Sequence, residues 1–329
     1  MQERQAVVTA LTDASLIPLK GIEPQLVLGF AAPRFFSDPD FASWLGRAFP
    51  DARRLVVSTA GEISSQGVSS DSAVITALHF DRATFRIAST DVDGMEDSLD
   101  AGRRLAAQFP AHDLKAVILL SQGVRVNGSE LIAGAVSVLG KSIPLTGGLA
   151  GDNGTFTGTW ALLDDQVSDK LMLAIGLYGE ALDFAHGSFG GWHSFGPARR
   201  ATRAVGNVLY ELDGEPALDI YRRYLGNYAK DLPASGLLFP FAILSGDREE
   251  TGLIRTLLGI DEAAGSLTLA GDIPQDGYLK LMHASTEALV DGAEAAADAA
   301  RRMARGGGQG LGILVWSPLA GGLLSGKFS

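Results

Sequence analysis

The sequence predicts an α/β fold in which mixed parallel and antiparallel sheets are flanked by helices. In the first half, apolar strand-like runs alternate with helix-like segments, as in residues 25–32, 39–49 and 53–60. Strands separated by helices favour parallel pairing. After residue 151 short strands follow one another through turns that contain Asp, Gly and Ser, which is typical of antiparallel sheets.

The elements up to residue 147 each have their own pattern. Strands 25–32 and 53–60 are short continuous apolar runs, as expected for buried strands. Residues 72–80 and 83–92 partly alternate between apolar and polar, which predicts a hairpin. The remaining predictions are helices 39–49, 95–109 and 128–139, with Asn127 as the N-cap of the last, and strands 115–121 and 143–147.

Beyond residue 151 an antiparallel meander of three strands is predicted within residues 158–191, with one or two more strands in 199–212. Residues 226–240 contain two prolines and no periodic pattern, so they are predicted to be a domain junction. The other predicted elements are helix 215–225, strands near 241–245, 253–260, 266–270 and 277–283, and an Ala-rich helix from Thr286 to residue 305.

Composition limits the classes of function. The 329 residues carry a net charge of −11, which argues against wide contact with nucleic acid or an anionic membrane. The chain has no cysteine and no HxxH or HExxH spacing, so disulfides, thiolate sites and a zinc hydrolase site are not expected. No signal peptide and no apolar run of about 18 residues is evident, which predicts a cytoplasmic protein without a membrane span.

Residues 143–152, IPLTGGLAGD, are the most informative stretch of the chain. An apolar strand runs into a bare backbone at Gly147, Gly148 and Gly151, followed by the carboxylate of Asp152. Such a turn can form a backbone nest that accepts an anion, with Asp152 as an orienting acceptor. The alternative is tight strand packing with an Asx-turn.

A second polar group lies at the end of strand 53–60. Ser58, Thr59 and Glu62 are placed where ligands bind in α/β folds, because strand ends expose backbone N–H groups beside side chains. We expect their hydroxyls and carboxylate to hold a polar ligand at its amino group. Alternatively, Ser58 and Thr59 cap a turn and Glu62 is solvated or paired with an arginine.

Two arginines lie in apolar strand contexts. Arg203 and Arg255 must be paired if buried, and a carboxylate ligand is one possible partner. The alternative partners are Asp213, Asp219 and Asp272, and Asp272 is also included in the predicted ligand site.

Two histidines flank the Gly-Gly-Trp at residues 190–192. His186 or His193 could serve as an axial haem ligand, whereas the alternative for each is a turn histidine. The favoured prediction has no cofactor and no metal, and haem is the alternative.

Several further segments follow one another in a characteristic order. They include STAGEISSQGV (58–68), VNGSEL (126–131), LTGGLAGD (145–152), GSFGGWHSFGP (187–197), LPASGLLFP (232–240) and SLTLAGDIP (266–274). In this order they resemble the FIST family, with a FIST N domain followed by a FIST C domain. The resemblance implies a non-enzymatic bacterial sensory protein that binds a small molecule such as an amino acid. It further implies a separate partner, a histidine kinase or a cyclic-dinucleotide enzyme, and some members resemble haem-dependent nitric oxide sensors.

The resemblance also suggests a division of the chain into two interlocked FIST segments. We expect an N-terminal extension at 1–24, a FIST N domain at 25–205 and a partial FIST C domain at 206–305. The tail at 306–329 differs from the family, and its LGILVWSPLAGG resembles a segment of aldo-keto reductases. A reductase that uses NADPH is therefore a further alternative.

Overall fold

The computed structural model describes residues 1–304, so the predicted reductase-like tail lies outside the described residues. Over this range none of the helices has both the length and the apolar composition needed to cross a membrane. Helices α1 to α6 are Pro33–Phe36, Phe41–Ala48, Ser98–Ala106, Gly128–Leu139, Ala217–Leu225 and Thr286–Met303. Strands β1 to β10 are Gln2–Val8, Leu26–Ala31, Arg53–Ser58, Glu62–Ser64, Gly67–Ser69, Ala73–His79, Thr84–Asp91, Leu114–Ser121, Leu145–Leu149 and Ala161–Leu163. Strands β11 to β20 are Gln166–Ser168, Leu171–Tyr178, His193–Val205, Val208–Leu212, Glu215–Pro216, Phe241–Leu244, Glu250–Arg255, Leu257–Asp261, Ser266–Leu269 and Tyr278–His283.

The first two sheets pack face to face between helices, which makes four layers. The first sheet has the order β1-β6-β2-β3-β10-β11 and the second has the order β7-β12-β8-β9. Leu28 and Leu55 of the first sheet meet Leu120 and Leu173 of the second in one buried cluster. The opposite faces are covered by α1 and α2 on the first sheet and by α3 and α4 on the second. The predicted mixed α/β architecture is confirmed.

The third sheet has the order β17-β16-β20-β13-β14-β19-β18, and α5 covers one of its faces. Helix α5 buries Leu218, Tyr221 and Leu225, the three residues that its helical spacing places on one side. Strands β13 and β14 form a hairpin in this sheet, so the predicted boundary between residues 205 and 206 falls in the turn of one hairpin. The strands on both sides of that boundary share a sheet, which is how the two segments interlock.

The predicted hairpin of 72–80 with 83–92 is wrong in its pairing. Both strands exist, but β6 pairs with β1 and β2 in the first sheet, whereas β7 pairs with β12 in the second. The chain crosses between the sheets through a short connection whose rings, Phe80 and Phe85, lie 5.3 Å apart. Alternation gives each strand a buried face but does not select its partner.

Strand β1 lies in the segment that the sequence predicts to be an N-terminal extension. Its first residues are polar, so it lacks the apolar run or clear alternation that predicts a strand.

The predicted meander of 158–191 is also wrong. Strand β10 pairs with β3 and β11, β12 pairs with β7 and β8, and residues 181–192 form no strand. This coil lies against α6 at backbone distance, since a Cβ on Gly191 would be 1.7 Å from the carbonyl oxygen of Ala288. The glycines there allow close packing against the helix and do not belong to a strand.

The predicted single strand at 253–260 is also wrong, because this region contributes to two strands, β17 and β18, which lie on opposite edges of the third sheet.

Residues 226–240 are not a junction between domains. They form two short 3-10 turns, Gly226–Asp231 and Ala234–Leu238, that pack against the core of the third sheet. The buried Tyr221 hydroxyl donates to the carbonyl oxygen of Phe239 at 2.8 Å and also reaches that of Gly236 at 3.3 Å. Burial raises the pKa of this phenol, so it stays a neutral donor.

Replacing Tyr221 by Phe is therefore expected to lower the free energy of unfolding by about 1–2 kcal/mol, because the buried carbonyls lose their donor. The matched control is Tyr228→Phe, since Tyr228 is half exposed and close in sequence. Urea denaturation of both variants measures the difference. Equal stability of Tyr221→Phe and the wild type would show that the 226–240 segment is not held in this way.

Candidate functional site

The two polar motifs that the sequence singles out meet at the carboxyl ends of parallel strand pairs. Strand β2 is parallel to β3, and β8 is parallel to β9. Just beyond these ends the Gly151 amide donates to the Ser58 carbonyl oxygen at 2.9 Å, and a Cβ on Gly151 would lie 2.8 Å from the Ala60 nitrogen. Strand ends of this kind are the usual ligand position in α/β folds.

We call the residues at this meeting point the strand-end cluster. Its members come from the end of β3, the loop after it and the start of β4, and from β9 with the loop that follows it. They are Ser58, Thr59, Glu62, Gly147, Gly148, Gly151 and Asp152.

Glu62 holds the first half of the cluster together. Its side chain is buried, and the Thr59 hydroxyl donates to Oε1 at 2.7 Å. The Ser72 amide and hydroxyl donate to Oε2 at 3.1 and 2.9 Å. A buried carboxylate needs such donors, and these tie the β3 end to the start of β6. Ser72 was missed by the sequence reasoning, since nothing in its serine-rich surroundings marks it as the partner of Glu62.

Asp152 organises the turn that follows β9. Its carboxylate is buried and accepts from the amides of Thr155, Thr157 and Gly158 at 3.1, 2.7 and 3.2 Å. The Thr155 hydroxyl adds a fourth bond at 2.9 Å. This is the local side-chain-to-backbone bonding of an Asx-type turn, so the alternative structural role of Asp152 agrees with the geometry.

Gly147 is required by close packing. Its φ is 133°, and a Cβ there would lie 1.8 Å from the carbonyl oxygen of Leu119 in β8. Gly148 follows in the same strand, and both are half-buried. Since β9 is the last strand of the second sheet, one row of its backbone groups has no strand partner in the described part of the chain.

Accessibility divides the cluster. The Ser58 hydroxyl is buried and accepts from the Trp160 amide at 2.9 Å, which ties β3 to β10. In contrast, Thr59 and residues 60–61 are only half-buried, as are Gly147 and Gly148. Thr59 and the glycine backbone are thus the groups that a ligand can reach directly, above a buried layer of Ser58, Glu62 and Asp152.

Arg255 and Asp272 come together elsewhere, at the start of α4. The Arg255 Nε donates to the Asp272 carbonyl oxygen at 2.9 Å, and its Nη2 donates to the Ser129 hydroxyl at 3.1 Å. An Asp272 carboxylate oxygen accepts from the Asn127 amide at 2.6 Å. Burial lowers the pKa of the Arg255 guanidinium, and the charge of Asp272 opposes that shift.

Arg203 has a different partner from those expected. Its guanidinium lies 3.2 Å from the Glu211 carboxylate and 4.4 Å from the centre of the Tyr210 ring, on the surface of the third sheet. Asp213 instead pairs with Arg199 at 2.9 Å. These contacts lie within the β13–β14 hairpin.

His186 and His193 are exposed. The His186 ring lies 6.0 Å from that of Phe184, and His193 stands opposite His283 in the pairing of β13 with β20. The flanking glycines between them pack against α6. Neither imidazole is enclosed by the described residues.

Family models match most of the chain. The FIST N domain model matches residues 25–215, and the FIST C domain model matches residues 217–321. The resemblance to the FIST family is confirmed by these matches. The second match continues past residue 305, the predicted end of the FIST C domain.

Two individual proteins are also similar. The uncharacterized protein MJ1623 of Methanocaldococcus jannaschii is 35% identical over 102 residues, which are 29% of this chain and 19% of that protein. The match therefore spans about a fifth of that relative's length. The crystal structure of cyanuric acid hydrolase from A. caulinodans covers 79% of this chain and 85% of its own, with 11% identity and a TM-score of 0.32. At that TM-score the likeness carries no argument.

Replacing Asp152 by Ala is expected to lower the free energy of unfolding by about 2–3 kcal/mol, because the amides of the turn lose a buried acceptor. The control is Asp51→Ala at an exposed position, which should change stability by about 0.5 kcal/mol or less. Chemical denaturation compares the two. If both variants unfold at the same denaturant concentration, Asp152 does not organise the turn.

Proposed function

The chain belongs to the FIST family, whose domains are signal-transduction sensory domains, and from this we propose that it binds a small polar molecule at the strand-end cluster and reports to a separate signalling protein. One observation carries the proposal. The contact of Gly151 with Ser58 and Ala60 brings together the carboxyl ends of two parallel strand pairs, which come from different sheets.

The chemistry of the cluster favours an amino acid as the ligand. Thr59 donates its hydroxyl proton to Glu62, so its oxygen is left as an acceptor at a half-exposed position. With the Glu62 charge beneath it, this position suits an ammonium group. The edge of β9 that pairs with no described strand, at residues 147–149, suits a carboxylate, since main-chain N–H groups there can donate to an anion, whereas the Ala150 and Gly151 amides already donate to Ser121 and Ser58. An amino acid supplies both groups.

The reporting step has a structural basis in the shared third sheet. The FIST N match includes β13 and β14, which pair with strands of the FIST C match. A ligand that binds one arrangement of the two segments more tightly than another would shift their populations. We propose a histidine kinase or a cyclic-dinucleotide enzyme as the partner that detects this shift.

A thermal-shift screen of the purified protein against the twenty amino acids, small carboxylates and haem tests the proposal. An amino acid present at 100 times its Kd should add about 2.7 kcal/mol to stability and raise the melting temperature. Thr59→Val should reduce that shift, because the variant keeps the shape of the side chain but lacks the oxygen. Thr59→Ser is the matched control and should keep it.

The other outcomes separate the alternatives. A Soret band that is lost on substitution of His186 or His193 would replace the proposal with a haem-binding sensor. Consumption of NADPH with an aldehyde would support the reductase alternative. A cooperative melt that no amino acid or small carboxylate shifts would contradict ligand binding of the proposed class.

A further inference from the structure

The start of α4 is bonded directly to the FIST C segment. The Asn127 side chain donates to the Asp272 carboxylate at 2.6 Å, and the Gly128 amide donates to the Ala270 carbonyl oxygen at 3.1 Å. The Ser129 hydroxyl accepts from the Asp272 amide and from Arg255, both at 3.1 Å. We call these residues, Asn127 to Ser129 with Arg255 and Ala270 to Asp272, the segment junction.

The two sides of the segment junction fit at backbone distance. A Cβ on Gly271 would lie 2.5 Å from the Ser129 hydroxyl oxygen, and a Cβ on Gly128 would lie 2.9 Å from the Ala270 carbonyl oxygen. No larger residue fits without displacement at either position. The half-buried Arg255 guanidinium also faces the positive end of α4, so the adjacent Asp272 carboxylate is needed to balance the charge.

A short, mostly buried loop joins the segment junction to the strand-end cluster. Residues 122–126 connect β8 to α4. At one end the Gly123 amide donates to the Thr159 hydroxyl at 2.9 Å, and a Cβ on Gly123 would lie 1.9 Å from the Ala150 carbonyl oxygen. At the other end Asn127 begins α4. Because Gly123 packs closely against the Ala150 carbonyl oxygen, we expect a displacement of residues 150–151 to move this loop.

We infer that the segment junction is the relay by which the strand-end cluster changes the position of the FIST C segment. This inference rests on the proposed function, because it assigns the regulation of that same cluster. Displacement at Gly151 moves loop 122–126, which withdraws the Asn127 amide from Asp272 and loosens the contact of Gly128 with Ala270. Movement of the Asp272 carboxylate would also reduce the charge compensation of the Arg255 guanidinium, so the two contacts are expected to change together.

Asn127 permits a sharp test of the segment junction. Its Oδ1 caps α4 by accepting from the Ser129 and Glu130 amides, while its Nδ2 binds Asp272. Asn127→Asp keeps the cap but places two carboxylates against each other. In the double variant Asn127→Asp with Asp272→Asn, the side chain at position 272 becomes the donor and the one at position 127 becomes the acceptor, so the hydrogen bond is restored in the opposite direction.

Hydrogen exchange of the Gly128 and Asp272 amides is the measurement, since both are donors in the segment junction. Exchange in Asn127→Asp should be about fivefold faster or more, and the double variant should return it toward the wild-type rate. If the Gly128 and Asp272 amides of Asn127→Asp exchanged at wild-type rates, the bond between Asn127 and Asp272 would not hold the segment junction together, and the inference would be wrong.

Transmission is tested from the other end with Gly151→Ala, whose added Cβ pushes against Ala60. Exchange at Gly128 and Asp272 should again rise about fivefold. The control is Gly29→Ala, whose Cβ would lie 2.8 Å from Val56 on the far side of the first sheet. If Gly151→Ala does not fold, Asp152→Asn replaces it as a milder change of the same turn.

A change in exchange that stops at residues 58–62, or that Gly29→Ala produces equally, would overturn the relay. Neither experiment contains a ligand. Failure of the amino-acid screen therefore counts against the proposed function alone, whereas failure here counts against the relay alone.

Discussion

The hydrogen bond from the Gly151 amide to the Ser58 carbonyl oxygen is the contact on which the rest of the arrangement depends. It joins the end of the second sheet to the end of the first at a distance that only a glycine permits, because a Cβ would meet the Ala60 nitrogen. The buried carboxylates of Glu62 and Asp152 stabilise the loops on its two sides. Without this close contact between Gly151 and Ser58, the two sheets would still pack through their apolar faces, but the polar residues at their strand ends would not form one cluster.

Both carboxylates have structural roles. The Asx-turn role of Asp152 is the alternative that the sequence offers, whereas Glu62 is buried instead of solvated and accepts from Thr59 and Ser72. Each accepts several hydrogen bonds inside the protein, and each is almost fully buried. In the proposed function a ligand would contact the cluster through other groups, above all through Thr59, whose hydroxyl donates to Glu62. For the proposed ammonium group, the Thr59 hydroxyl oxygen would accept the hydrogen bond, and the Glu62 carboxyl group would lie behind it. A new hydrogen bond accepted by the Thr59 hydroxyl would alter the bond that this hydroxyl donates to Glu62, and Glu62 is also bonded to Ser72.

Local structure was predictable from the sequence where the pattern concerned one element. The cap at Asn127 is formed as its sequence indicates, and helix α5 buries the face that its spacing predicts. Pairing between distant strands was not predictable. Strands β6 and β7 are adjacent in sequence but lie in different sheets, because an alternating pattern selects a face and not a neighbour. The glycine and carboxylate positions of the site could be predicted from short sequence motifs. The contact of Ser72 with Glu62 and the partners of Arg255 in the segment junction could not, because they join residues that are far apart in the sequence.

The central claim is that an amino acid binds at the strand-end cluster of this FIST protein and that its effect reaches the FIST C segment. Backbone amide chemical shifts, followed by NMR during titration with the amino acid that gives the largest thermal shift, test this most directly. The account predicts that the first amides to change are those of residues 59–61 and 147–151, and that the amides of Gly128 and Asp272 change with the same midpoint. Changes confined to the third sheet, with residues 59–61 unaffected, would contradict it.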